Sequence, residues 1–173
     1  MSGDWGRKIR LRELDRGPLT LRLEPDAAER ARIAHDLGLE SLPALVADVT
    51  VKTWLDGAEI VGKFKATVEQ LCSASLDPFE QPVRGEIEVR LVPADSPNAP
   101  GEINHEIELE LDAPDPPDLM EGDSIDVSAY VVEHLALEID PFPRKPGAEF
   151  DYQPPAQDES PFAVLKNLKT PKP

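Results

Sequence analysis

The chain reads as an α+β protein: an antiparallel sheet of about five strands, open or closed into a barrel, with two packed helices and a short C-terminal helix. Three observations predict this. Residues 45–92 hold three successive stretches of apolar–polar alternation, the pattern of strands with one buried face. The stretches 26–38 and 126–139 change to helical spacing. A last apolar stripe, Phe162, Leu165 and Leu168, follows a proline-rich stretch.

Taken in order, residues 1–16 form a basic N-terminal segment, with Arg7, Lys8, Arg10, Arg12 and Arg16 against Asp4, Glu13 and Asp15. The α+β domain is expected over residues 17–140. Leu19, Leu21 and Leu23 alternate with Thr20 and Arg22, which predicts a strand. Asp26 and Glu29 have the spacing of a capping box, so a helix starts there. Ala27, Ala31, Ala34 and Leu37 mark its apolar face, and Gly38 suits the residue after its end.

The meander follows. Leu45, Ala47, Val49 and Val51 face inward on its first strand. Asp56-Gly57 is a hairpin signal, because a type I′ turn needs the positive φ that Gly tolerates. On the return strand Ile60, Phe64, Ala66, Val68 and Cys72 face inward, and Lys63, Lys65, Thr67 and Glu69 outward. Leu76-Asp77-Pro78-Phe79 makes the next turn. Val83, Ile87, Val89 and Leu91 then point inward, and Arg84, Glu86, Glu88 and Arg90 outward.

Residues 93–104 read as a loop. Glu106, Glu108 and Glu110 alternate with Ile107, Leu109 and Leu111, which predicts a strand with an acidic outer face. Residues 112–118 read as a loop or an edge. The second helix runs from about Asp126 to Glu138, with Asp126 or Ser128 as N-cap. Val127, Val131 and Leu135 form one row, and Val132, Ala136 and Ile139 an adjacent one. Residues 141–159 are a proline-rich linker that docks through Phe150 and Tyr152. Ser160-Pro161 restarts a helix over residues 160–173, with Lys166, Lys169 and Lys172 beside its stripe.

Composition narrows the function classes. The formal net charge of -16 suits a basic partner and opposes general binding to polyanions. Aromatic residues are only 5% and there are 19 prolines, so part of the chain is loop or tail. No apolar run approaches the roughly 20 residues of a membrane span. The polar start of the chain has no secretory h-region, and one cysteine forms no internal disulfide, so the cytoplasm is expected.

Each chemical motif meets a plainer reading. Cys72-Ser73-Ala74-Ser75 has knuckle spacing, but a zinc site needs about four ligands. His35, His105 and His134 sit on separate elements, so Cys72 is taken as a small buried thiol and no zinc is expected. The ten carboxylates from Glu102 to Asp126 are taken as a solvated or partner-facing surface, because alternate Glu residues share one strand face. His134 is taken as a satisfied boundary histidine. Phosphate-cradling loops and elbow nucleophiles lack their motifs. The C-terminal helix has two readings side by side: a recognition segment, or a helix docked on its own domain.

Three segments carry a family resemblance, which spans about Pro18 to Lys169. Val68-Glu-Gln-Leu-Cys72-Ser-Ala-Ser75-Leu-Asp-Pro-Phe79 resembles the Cys-x-x-Cys-x-x-x-Phe segment of the YceD family. Ile125 to Leu137 is similar to that family's helix with its Leu-Ala-Leu-type run. Ser160-Pro-Phe-Ala-Val-Leu-Lys-Asn-Leu-Lys169 resembles its terminal Asn-Pro-Phe-Ala-x-Leu-x-x-Leu-Lys. The resemblance implies a non-enzymatic role in large-subunit ribosome biogenesis, through accumulation of 23S ribosomal RNA. It also suggests a small basic ribosomal protein as partner. Ser75 stands in place of the second knuckle cysteine, and the later cysteine of many members is missing, so zinc binding in that manner is not expected.

The expected function is therefore a non-enzymatic factor for large-subunit biogenesis that binds a basic ribosomal protein or rRNA. Its expected contact residues are Phe162, Leu165, Lys166, Leu168 and Lys169 on the C-terminal helix, with Glu106, Glu108 and Glu110 on the acidic strand. No cofactor, metal, membrane or small-molecule substrate is expected. The competing readings are a carboxylate-dependent hydrolase using the acidic segment, and an interaction scaffold unrelated to ribosomes.

Overall fold

The computed structural model describes residues 5–100, 115–120 and 122–149. The elements are β1 (Lys8–Arg10), a 3-10 helix (Leu11–Arg16), β2 (Leu19–Leu23), α1 (Ala27–Asp36), β3 (Ser41–Trp54) and β4 (Gly57–Leu71). They continue with β5 (Pro78–Pro93), β6 (Asp118–Met120), β7 (Ser124–Asp126) and α2 (Val127–Glu138). Five strands form one sheet in the order β2-β3-β4-β5-β6, while β1 and β7 pair separately.

The α+β class, the five-stranded sheet and the two packed helices agree with the expectation. Two features of the sheet differ. β5 and β6 run parallel, so the sheet is mixed rather than antiparallel. It is also open, with β2 and β6 as its edges. The strand expected at 106–112, the C-terminal helix, and Phe150 and Tyr152 lie outside the described residues. The observed fifth strand, Asp118–Met120, is three residues long, too short for alternation to reveal.

The meander buries the side chains its alternation marks. Leu45, Ala47, Val49 and Val51 pair with Ala66, Phe64, Gly62 and Ile60 across β3 and β4. Ile60 and Ala66 then pair with Val89 and Val83 on β5. Phe64 heads the largest fully buried side chains. Its ring lies over Gly85, where an added Cβ would stand 2.5 Å from Cε1.

The β3–β4 turn corrects the sequence reading. Its loop is Leu55-Asp56, flanked by the pair Trp54 and Gly57. Positive φ falls on Leu55, at 51°, and not on Gly57. Gly57 serves another need: an added Cβ would meet the Leu91 carbonyl carbon at 2.8 Å and Val92 Cα at 2.9 Å. Glycine is there because β5 passes too close for a side chain. Asp56 instead ties down the next loop, accepting from Ser96 Oγ at 2.9 Å and Asn98 Nδ2 at 3.0 Å. These bonds lower its pKa, Ser96 first and Asn98 second.

Both helices start where their caps predict. In α1 the Asp26 carboxylate accepts from Glu29 N and the Glu29 carboxylate accepts from Asp26 N, each at 2.8 Å. Its end is a Schellman turn: Leu39 N donates to Ala34 O at 2.9 Å, Gly38 N to His35 O at 3.2 Å, and Gly38 has φ 67°. The buried face is Ile33 and Ala34, with Leu37 half-buried, while Ala27 and Ala31 are exposed. The larger Ile33 draws the helix round, because it gains more from burial than an alanine row does. Asp126 caps α2, accepting from Ala129 N at 3.2 Å. Val127, Val131 and Leu135 are fully buried, Val132 and Ile139 are half-buried, and Ala136 is exposed.

Residues 8–16 add two side chains to the core. Ile9 and Leu14 are buried, β1 pairs with β7, and the 3-10 helix packs on β3.

Candidate functional site

The turn after β4 is the most heavily bonded irregular feature of the described residues. Cys72 N donates to Asp77 O at 2.9 Å, and Leu76 N donates to Cys72 O at 2.8 Å. The turn forces Leu76 to φ 61°, a left-handed conformation that a leucine rarely adopts. The chain beyond α2 returns to this turn. Ser73 donates to the Pro143 carbonyl from both N and Oγ, each at 2.8 Å. Gln70 Nε2 donates to Asp140 O at 3.1 Å, and Lys145 Nζ lies 3.8 Å from Asp77 Oδ2. Asp140 and residues 141–145, the start of the expected linker, are thus held in place by side chains and amides around Cys72.

Cys72 is fully buried and accepts two amide hydrogens, from Lys145 N at 3.4 Å and Ser75 N at 3.5 Å. The thiol pKa falls to about 6, through the Ser75 side chain first and then the amides of Lys145, Ser75 and Ala74. Burial acts the other way and is outweighed. The sequence reading placed a buried thiol here correctly. It weighed Cys72 as a metal ligand and so missed a pKa lowered by amide and hydroxyl donors. One of those donors, the Lys145 amide, is too distant in sequence for spacing to reveal. Among the described residues, no three His, Cys, Asp or Glu side chains converge to hold a metal ion.

His134 is hydrogen-bonded through Nδ1 to the Tyr130 carbonyl at 2.9 Å. Its ring lines an open cleft with Glu88, Arg90, Asp115 and Asp118. Tyr130 is half-buried, and its pKa is raised by burial first, then by the charges of Asp118 and Glu133. The described carboxylates with a shifted pKa, Glu13, Asp56 and Glu59, all shift down, held by hydrogen-bond donors.

The outer face of the meander is a charge ladder. Arg22, Asp48, Lys63 and Glu86 form one rung across four strands, closed by ion pairs of 3.0 Å and 3.2 Å. A second rung is partly buried: Glu59 sits between Lys52 Nζ at 2.6 Å and Arg90 Nε at 3.0 Å. Arg90 in turn stacks on Trp54, 5.6 Å from the ring centre. The expected contact residues Phe162, Leu165, Lys166, Leu168, Lys169, Glu106, Glu108 and Glu110 all lie outside the described residues.

Among the described residues, no helix is long and apolar enough to cross a membrane. No curated protein and no solved structure matches the chain. The family model described as "Large ribosomal RNA subunit accumulation protein YceD" matches residues 60–169, which takes in most of β4, the Cys72 turn, β5 and α2. With more than half of its length matched, the chain belongs to the YceD family.

Proposed function

We propose that the chain is a non-enzymatic binding factor that supports accumulation of the large-subunit ribosomal RNA by holding a basic ribosomal protein. Membership of the YceD family carries this reading. The charge balance favours a protein partner over RNA, because a net charge of -16 opposes a phosphate backbone and attracts a basic surface. Glu13, Asp56 and Glu59 are held down by hydrogen-bond donors, so none of these three suits general-acid chemistry, which needs a raised carboxyl pKa. The proposed contacts are Glu106, Glu108 and Glu110 for the basic partner, with the apolar Phe162, Leu165 and Leu168 as the recognition stripe of the segment that also carries Lys166 and Lys169.

Affinity capture from cell extract tests this. The expected result is a basic large-subunit protein that survives RNase and leaves with salt. Glu106, Glu108 and Glu110 changed to Gln should slow association and speed dissociation. Lys166, Lys169 and Lys172 changed to Gln should matter little. Capture that RNase abolishes, with a salt dependence that flattens by up to about three log–log units in the lysine variant, would make RNA the partner instead.

A further inference from the structure

Six large apolar side chains stand exposed among the described residues, and three of them, Leu71, Leu76 and Phe142, belong to the Cys72 turn and the chain that returns to it. Leu71 (43% exposed) and Leu76 (72%) flank the Cys72 turn. Phe142 (75%) precedes Pro143, whose carbonyl takes both Ser73 bonds. Leu137 lies on the last turn of α2, three residues before the Asp140 carbonyl that Gln70 holds. The placement of Leu76 carries a cost, since its backbone is left-handed and its side chain gains little from burial. Apolar groups held outward by a well-bonded turn fit a docking surface better than a failure of packing.

We infer that the patch of Leu71, Leu76 and Phe142 is the docking surface for the chain's own C-terminal segment, residues 160–169, within the same molecule. Three observations favour this occupant. The chain leaves the described residues at Glu149, four residues beyond the Lys145 contact with the turn. Residues 149 to 160 reach at most about 36–40 Å when extended, so the segment stays close to the patch. Phe162, Leu165 and Leu168 offer three apolar groups at helical spacing for a patch of three. Charge also matches. The turn and the segment that returns to it carry the exposed Asp77, Glu80 and Asp140 against Arg144 and Lys145, and the tail carries Lys166 and Lys169. A partner that takes the tail would first have to displace it. The inference concerns the purified chain and keeps its meaning if the ribosomal reading fails.

Hydrogen exchange on the full chain tests the docking. A tether of this length gives an effective concentration of about 1 mM, so a tail affinity of about 0.1 mM yields about tenfold protection. The expected result is exchange of amides 162–168 about tenfold slower than in a synthetic peptide of the same sequence, unchanged on tenfold dilution. Leu76→Asn with Phe142→Gln should return it to the peptide's rate. Asn suits the left-handed backbone, and both positions are exposed, so the fold is kept. In the reciprocal variant, Leu165→Ser with Leu168→Ser, amides 71–77 should exchange faster. Peptide-like exchange in the unaltered chain would overturn the proposal. So would protection that survives the patch variant, or a reciprocal variant with no effect on the turn. Protection that rises with protein concentration would place the tail on a second copy and overturn the intramolecular form.

Discussion

Replacing Gly57 with Val should destabilise the fold by about 2–4 kcal/mol. Any Cβ at this position lies on the Leu91 carbonyl, with Val92 Cα at 2.9 Å, and both obstacles are backbone. No rotamer relieves the overlap, so β4 and β5 must part at their last rung, Ala58 with Leu91. Overpacking of this kind costs about 1–3 kcal/mol, and one lost ladder hydrogen bond adds about 1 kcal/mol. The clash is with the Cβ itself, so Gly57→Ala should cost nearly as much as Gly57→Val. Urea denaturation midpoints at constant m-value measure both. Leu55→Gly is the control at the position where φ is positive. Relief of about 1–2 kcal/mol of left-handed strain is offset by about 0.5–1 kcal/mol of glycine entropy, so a small gain is expected. An unchanged midpoint for Gly57→Ala would refute the close-approach account.

Cys72 gives a pH prediction. Its thiol pKa drops from 9.0 to about 6 on folding, so its contribution is fully present above pH 9 and lost as pH falls through 6. The stability of the chain relative to Cys72→Ala should therefore rise from pH 6 to pH 9, read by denaturant melts across that window; a flat difference would count against the two amide bonds. Glu59→Gln should cost about 1–2 kcal/mol at pH 7, because Lys52 and Arg90 lose a shared, largely buried counter-ion. The Glu59 pKa is lowered from 4.5, so its contribution is present above that value and fades as pH falls below it. The difference between variant and parent should shrink in acid.

Local rules made most of the fold legible. Alternation marked every buried position it named on β3, β4 and β5, because a half-buried strand allows only one register of apolar side chains. Both N-caps and the end of α1 were readable because capping is a contact among near neighbours. What escaped lies in long-range contacts. Asp56-Gly57 looked like a turn motif, yet Asp56 bonds to Ser96, 40 residues away, and Gly57 clears a path for β5 at Leu91 and Val92. β1, β6 and β7 are three residues each and carry too little pattern. The docked segment after α2 has no periodicity, and only the partner turn reveals its role. Of the candidate site, Cys72 was named, but the donor roles of Ser75 and Lys145 and the exposure of Leu76 and Phe142 were not. The expected contact residues lie outside the described part of the chain.

The pairing of β1 with β7 has a kinetic consequence. Gly6 N reaches Ser128 Oγ across 122 residues, whereas the β3–β4 turn spans two. Closing a loop of that length costs about 4 kcal/mol of chain entropy before its contacts form. The meander of β3, β4 and β5 can zip up from its turns without meeting that cost. Ile9, at the middle of β1, can be buried only after Ile125 has been positioned by the start of α2. β1 and β7 therefore act as a late clasp, shut on a sheet that is already built.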